Sequence, residues 1–186
     1  MGTTDTPAET YTSVEVHRSR IVVAAASRHG ATAEIADRIA TRLRTDLPSW
    51  SVVHADVLDW PTIDDADVVI LGSAIYLGRW LRPAREALDR LDPSMEIWLF
   101  SSGPISGVAG EDRDLITADR RVKPLGVRDH AVFGGRLDSR LLSFWERWIA
   151  RAARAPEGDL RDWAAIDAWA DSIAQELDAA VTKDKS

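Results

Sequence analysis

The sequence predicts one α/β domain built on a mostly parallel sheet, because short apolar strands and amphipathic helices alternate along its 186 residues. Segment 20–26 is an apolar run without alternation, which is typical of a strand buried on both faces. From Ile35 to Leu47 the apolar side chains recur at helical spacing, and Pro48 ends that helix. This alternation favours parallel strands joined by right-handed crossovers.

The rest of the chain repeats the pattern. Further strands are predicted at 50–55, 67–71, 96–100 and 130–133. Further helices are predicted from Pro83 to Leu91 and over 112–121, 141–154 and 163–177. We therefore expect a disordered leader at residues 1–18, one domain at 19–180 and a short tail at 181–186.

Composition excludes several classes of function. The chain has no cysteine, which rules out thiol catalysis, disulfides and thiolate metal sites, so a redox role requires a bound cofactor. The net charge of −7 provides no global basic field for nucleic acid, and we expect membrane contact to be peripheral at most. No signal pattern or membrane-length apolar run is present, which predicts a cytoplasmic protein. No histidine and carboxylate pair has metal-ligand spacing, so we expect no metal site.

Glycine and hydroxyl side chains follow four of the predicted strands, in the segments 27–32, 72–80, 101–110 and 134–135. The carboxyl ends of parallel strands lie at the same edge of a sheet, where ligands of doubly wound proteins bind. The sequence therefore predicts a ligand site at this edge.

The segment from Ser27 to Thr32 joins a buried strand directly to a helix and contains Gly30. Unpaired N–H groups and the helix dipole make such a helix start a natural anion site, although many ordinary strand–helix loops also carry glycine and a capping hydroxyl. The segment lacks the Lys-Ser/Thr pair of a triphosphate loop and the three spaced glycines of a dinucleotide fingerprint. A single phosphate group remains as the candidate ligand.

The spacing Ser27-x-x-Gly30-x-Thr32 resembles the FMN phosphate loop of flavodoxins, with His29 where a third hydroxyl residue is usual. Arg28 and His29 resemble the branch that contains menaquinone-dependent protoporphyrinogen oxidase. Segments of this chain that also resemble that branch are 71–80, 98–104, 130–137 and 158–163. The resemblance extends from about residue 20 to residue 177.

This resemblance implies a flavodoxin-like three-layer sandwich, with a five-stranded parallel sheet of order 2-1-3-4-5 and FMN as cofactor. The cofactor-binding residues that it implies are Ser27, Arg28, His29, Gly30, Ala31, Thr32, Ser73, Ala74, Ile75, Tyr76, Leu77, Gly78, Trp80, Ser101, Ser102, Gly103 and Pro104. The 73–80 segment would line one side of the flavin ring, and the segment that begins at Ser101 would approach the other.

Several of these residues have a plainer interpretation. Tyr76 and Trp80 could pack against a neighbouring helix instead of the flavin, and His29 could cap its loop. Arg79 follows Tyr76 and Gly78 in the same segment, and we expect it either to contact an anionic part of the substrate or to be solvated.

The resemblance supports three functional hypotheses. The first is an FMN-dependent oxidoreductase that passes electrons from a small organic substrate, such as a porphyrinogen, to a quinone or similar acceptor. The second is a diffusible electron carrier that docks with redox partner proteins, which the acidic net charge favours. The third is a non-catalytic module that binds a partner or a deazaflavin.

Overall fold

The computed structural model describes residues 19–76, 78–103, 119–137 and 158–184. The predicted leader, the predicted helix 141–154 and most of the predicted helix 112–121 lie outside the described residues. The strands are β1 (Arg20–Ala26), β2 (Ser51–Asp56), β3 (Val68–Tyr76), β4 (Arg79–Trp80), β5 (Glu96–Gly103), β6 (Asp129–Gly134), β7 (Arg136–Leu137) and β8 (Gly158–Asp159). The helices are α1 (Ala31–Asp46), α2 (Trp60–Asp64), α3 (Arg82–Leu88), a 3₁₀ turn (Lys123–Leu125) and α4 (Trp163–Asp184).

Five of the strands form a parallel sheet in the order β2-β1-β3-β5-β6. This confirms the predicted order 2-1-3-4-5, since β5 and β6 are the fourth and fifth parallel strands. Strand β2 is added on one side of β1, whereas β3, β5 and β6 are added on the other side. The carboxyl ends of β1 and β3 therefore form the topological switch point. Two small antiparallel additions were not predicted: β4 pairs with β3, and β7 pairs with β8 in a separate ribbon.

The sheet is covered on both faces. On one face, β1 and β3 pack against α1 and α4. The α4 side chains Ile166, Ile173 and Leu177 are buried there. On the other face, alternate residues of the same strands pack against α2 and α3. The lack of alternation in segment 20–26 follows from this arrangement, because Ile21 and Val22 are both fully buried on opposite faces.

Helices α1 and α4 are also joined by a ladder of ion pairs. Arg38 forms a two-pronged contact with Asp167, and one turn further along Arg42 does the same with Asp171. Both pairs follow from the spacing of four residues on each helix, which places their side chains on one face. The contacts fix the position of α4 along α1.

Strands β3 and β5 continue further than the sequence predicted. We expected β3 to end before Gly72 and Ser73, but it runs through both to Tyr76, and β5 continues from Phe100 to Gly103. Glycine and serine usually indicate a turn, whereas here Gly72 pairs across the sheet with Phe100, and the ring of Phe100 lies over its Cα. The first residues of the predicted loops are therefore sheet residues.

Among the described residues, none of the helices is long and apolar enough to cross a membrane.

Candidate functional site

The structure brings the predicted loops together at one edge of the sheet. The strand register aligns Ala26 of β1 with Ser73 of β3, and Ser73 with Ser101 of β5. On the next strand of the sheet, Gly134 of β6 is in register with Gly103 at the end of β5. The residues after these four strand ends therefore share one edge, as the sequence predicted.

The head of α1 carries the arrangement that anion binding requires. Gly30 immediately precedes the helix with φ 83°, a left-handed conformation that strongly favours glycine. Because the N-cap residue is a glycine, it has no side chain to hydrogen-bond to the first N–H groups of the helix. The first intrahelical bond runs from Glu34 N–H to the Gly30 carbonyl at 2.9 Å, which leaves the N–H groups of Ala31 and Thr32 without an intrahelical acceptor. These groups and the helix dipole favour a bound anion.

A pair of hydroxyls links this loop to the end of β5. Thr32 Oγ1 and Ser102 Oγ lie 2.8 Å apart, and both residues are almost fully buried. One hydroxyl donates to the other, so the accepting hydroxyl keeps its own proton for a further acceptor. Thr32, predicted as a phosphate donor, therefore shares its hydrogen-bonding capacity with Ser102.

Three other predicted site residues hold the β3–β4 hairpin in place. The hydroxyl of Ser101 accepts a 2.8 Å hydrogen bond from the indole N–H of Trp80 and lies 2.9 Å from Nε2 of His130. The hydroxyl of Ser73 accepts from the Leu81 N–H at 3.0 Å and donates to the Ala74 carbonyl at 2.9 Å. Both serines are fully buried, and Trp80 is only 3% exposed.

The packing interpretation of Trp80 therefore describes its position, between α3 and the sheet, and the side chains of Ser73 and Ser101 do not face an open cleft. As cofactor contacts, these three residues stay predictions. Their structural role is to fix the hairpin that carries Tyr76 and Arg79.

The β3–β4 hairpin places an aromatic residue and an arginine in register with each other. Tyr76 pairs directly across the hairpin with Arg79, and Gly78 makes the turn with φ 71°. The guanidinium of Arg28 lies 5.2 Å from the centre of the Tyr76 ring. The loop between β1 and α1 therefore contacts the β3–β4 hairpin through a cation–π interaction. Tyr76 is half-buried and Arg79 is exposed, while Leu77 lies outside the described residues.

The backbones of β5 and β6 approach each other closely where these two strands end. The Gly135 N–H donates to the Gly103 carbonyl at 2.9 Å, and a Cβ on Gly103 would lie 3.3 Å from the Cβ of Ile75. A Cβ on Gly134 would overlap the carbonyl oxygen of Leu160. Small residues are thus required where β5 and β6 end, while Pro104 lies outside the described residues.

A charged cluster at the head of α1 was not predicted from the sequence. Arg161 donates to Glu34 at 2.6 Å and to both carboxylate oxygens of Asp159 at 2.8 and 2.7 Å. Arg136 adds a second arginine on Glu34 at 3.0 Å. The cluster fixes the β7–β8 ribbon to the first turn of α1. No signal in the sequence indicated this pairing, because Arg161 and Glu34 are 127 positions apart.

These contacts shift the pKa values of the carboxyl groups. The hydrogen bond from Arg161 lowers the pKa of Asp159 from 3.8 to about 2, and Arg161 likewise lowers the pKa of Glu34. Hydrogen bonding to Asp159 raises the pKa of Arg161. The Arg161 side chain is only 4% exposed, which explains why it depends on both acidic partners.

We expect the Arg161→Met substitution to raise the pKa of Asp159 towards its ordinary value. A depressed carboxyl pKa stabilises the fold above the unfolded-state value, and that contribution is lost as the pH falls through the folded-state value of about 2. The stability difference between wild type and variant should therefore shrink as the pH falls from about 4 to about 2. Carboxyl titration by NMR and unfolding at several pH values would measure both effects.

The matched control is Arg121→Met, since Arg121 pairs with Asp89 and Asp119 instead. It should leave the pKa of Asp159 unchanged. An Asp159 pKa near 2 in the Arg161→Met variant would contradict the assignment of its cause.

The fold defines a doubly wound α/β protein, with a candidate anion site beyond β1 at the point where the strand order reverses. A family model described as "Flavodoxin domain" matches residues 22–162, and this chain belongs to that family. Membership indicates FMN as the cofactor.

Solved structures show the same fold at low sequence identity. A flavodoxin of Streptococcus pneumonia TIGR4 is 19% identical with a TM-score of 0.57, over 87% of this chain and 99% of that one. The rubredoxin oxygen:oxidoreductase of Desulfovibrio gigas is 16% identical with a TM-score of 0.58, over 87% of this chain and 37% of that one. An azoreductase of Bacillus anthracis str. Sterne is 11% identical with a TM-score of 0.52, over 85% and 99%. No curated protein matches this sequence.

Proposed function

We propose that this chain is an FMN-dependent oxidoreductase that passes electrons from a small organic substrate to a quinone or similar acceptor, with a porphyrinogen as the first substrate to test. The observation that carries the proposal is the head of α1, where Gly30 in a left-handed conformation precedes an uncapped helix start. Because this site supplies backbone N–H donors and no lysine, it suits one phosphate group rather than a triphosphate.

The described residues fit FMN in chemical type. The N–H groups at the start of α1 and the remaining hydroxyl proton of the Thr32–Ser102 pair would bind the phosphate. The half-buried ring of Tyr76 and the backbone near Gly103 would provide an aromatic face and close backbone contact for the flavin. FMN, when bound, supplies one- and two-electron chemistry, so the protein needs only to orient it, limit access to it and bind the substrate.

Two observations support an enzyme over a simple carrier. The residues near the site include Arg28, His29 and Arg79, whereas the acidic rim usual in carriers is absent from the 27–33 and 73–81 segments. The solved structures with this fold include an NADH:FMN oxidoreductase (EMOB), with a TM-score of 0.54 at 15% identity, beside the flavodoxins. The acidic net charge of −7 favours the second candidate, a diffusible electron carrier that docks with redox proteins.

The first experiment is to identify the flavin. We expect the purified protein to be yellow, and the cofactor released on denaturation to co-elute with FMN rather than FAD in chromatography. A protein that stays colourless after incubation with FMN and with a deazaflavin would contradict the proposal and favour a non-catalytic module.

Turnover then separates the two electron-transfer functions. Oxidation of a porphyrinogen with a quinone as acceptor, at a rate dependent on bound FMN, would support the enzyme. Transfer only to and from redox proteins, with no turnover of porphyrinogens or other small organic donors, would favour the carrier.

A further inference from the structure

The loops at the candidate site have a charge opposite to that of the whole protein. In the chain, 30 residues are Asp or Glu and 23 are Lys or Arg. The four segments 27–33, 73–81, 101–103 and 134–137 nevertheless contain no Asp or Glu, although they contain three arginines and a histidine. These segments therefore have a net positive charge on an acidic protein, and the adjacent Glu34 is paired with Arg136 and Arg161.

These basic side chains do not all serve the same purpose. Arg136 is paired with Glu34 at the head of α1, so its charge is compensated there. Arg28 lies against the ring of Tyr76 in the phosphate loop itself. Arg79 differs from both, because it projects from the β3–β4 hairpin, is exposed, and forms no ion pair with any residue that the structure describes.

The position of Arg79 is fixed although its side chain is exposed. It pairs in register with Tyr76, and the next residue, Trp80, is buried and bonded to Ser101. The backbone of the hairpin thus places Arg79 opposite Tyr76, at the edge where the parallel strands end. A positive charge carried at this place attracts anions to the site and disfavours cations.

We propose that the site selects an anionic redox substrate, and that Arg79 is the residue that determines this selectivity. The inference rests on the proposed function, since it concerns the molecule that exchanges electrons with the cofactor. It adds the chemical class: a small molecule that carries carboxylate, sulfonate or similar negative groups.

The test compares three electron acceptors that differ in charge: ferricyanide, hexaammineruthenium(III) and a neutral benzoquinone. Each ferricyanide ion gains one electron and becomes ferrocyanide, so two of them reoxidise one fully reduced FMN, whose protons pass to water. The FMN-loaded protein is reduced by light with EDTA as the electron donor, and reoxidation is followed by stopped-flow absorbance. For each acceptor, the rate of the variant is divided by the rate of the wild type. The different reduction potentials of the acceptors therefore do not affect the comparison.

We expect Arg79→Gln to slow reoxidation by ferricyanide about threefold at low ionic strength, which is the order expected for one lost charge and a trivalent anion in screened water. Hexaammineruthenium(III) should become faster by a similar factor, and the neutral quinone should be unchanged. Both effects should fade as salt is added, and Arg79→Lys should restore the wild-type order.

Arg128→Gln is the matched control, because it removes the same charge at the opposite edge of the sheet, where β6 begins. It should leave all three rates close to wild type. Equal rates for Arg79→Gln and Arg128→Gln would overturn the proposal, and so would a loss of rate in Arg79→Gln that is the same for all three acceptors.

Equilibrium dialysis with anthraquinone-2,6-disulfonate, a planar dianion, gives a readout without turnover. The protein is tested with and without added FMN, so that binding of the dianion is measured even if the protein does not bind FMN. Weaker binding by Arg79→Gln than by Arg128→Gln supports the proposal, and equal binding contradicts it. Failure of the proposed function would instead appear as absence of FMN binding by all variants and the wild type.

Discussion

Replacement of Gly72 by alanine is expected to lower the free energy of unfolding by about 3 kcal/mol, at the upper end of typical overpacking penalties. A Cβ at this position would overlap the ring of Phe100, its cross-strand neighbour. Phe100 is fully buried between the sheet and the α1–α4 layer, so its ring cannot move aside without displacing other core side chains. Chemical denaturation of the purified variant would measure the loss.

Two comparisons separate this overlap from the general cost of replacing a glycine. Gly126→Ala introduces only the strain of φ 59°, with no atom within 4 Å of the new Cβ, and should cost about 1 kcal/mol. In a Phe100→Leu background the smaller side chain leaves room, so the additional cost of Gly72→Ala should fall well below its cost in wild type. The same cost in both backgrounds would show that Phe100 is not the cause.

Replacement of Gly30 by valine is expected to weaken FMN binding about tenfold or more, with a smaller effect on folding. A β-branched residue strongly disfavours φ 83°, at a cost of about 1–2 kcal/mol, so the free loop relaxes and its N–H groups no longer converge on the phosphate. Binding must then restore the strained conformation, and this cost appears directly in the dissociation constant. Titration of apoprotein with FMN, followed by quenching of flavin fluorescence, would measure it.

The control for this variant is Gly126→Val, which creates the same type of strain at φ 59° near the start of β6, at the opposite edge of the sheet. It should leave the affinity for FMN unchanged while it lowers stability. If Gly30→Val bound FMN within twofold of the wild-type affinity, the phosphate would have to be held elsewhere.

The elements that could be predicted from the sequence are those whose signal is local. Segment 20–26 indicates a buried strand by itself, and Ile35 to Leu47 indicates a helix, because hydrophobic spacing needs no distant partner. The order of the five parallel strands followed from a resemblance carried by several loop segments together. The site edge followed in turn, since it lies wherever the parallel strands end.

The roles that could not be predicted depend on partners far away in sequence. Gly72 indicated a turn, but its conformation is set by a phenylalanine on the next strand. Ser101 resembled a ligand-binding hydroxyl, yet its partners are Trp80 and His130. Glu34 is hydrogen-bonded to Arg136 and Arg161, which lie more than 100 positions further along the chain. The type and spacing of these residues are the same whether they face solvent or a ligand or contact a distant part of the chain.

The placement of α4 has a consequence for synthesis of the protein on the ribosome. The sheet face that bears Trp98 and Phe133 is completed by side chains between Ile166 and Leu177, whereas the opposite face is covered by α2 and α3, which emerge much earlier. A nascent chain that lacks α4 exposes this apolar surface to water and to other chains. This face of the sheet cannot close before α4 has been synthesised, and until then the exposed apolar surface is open to aggregation.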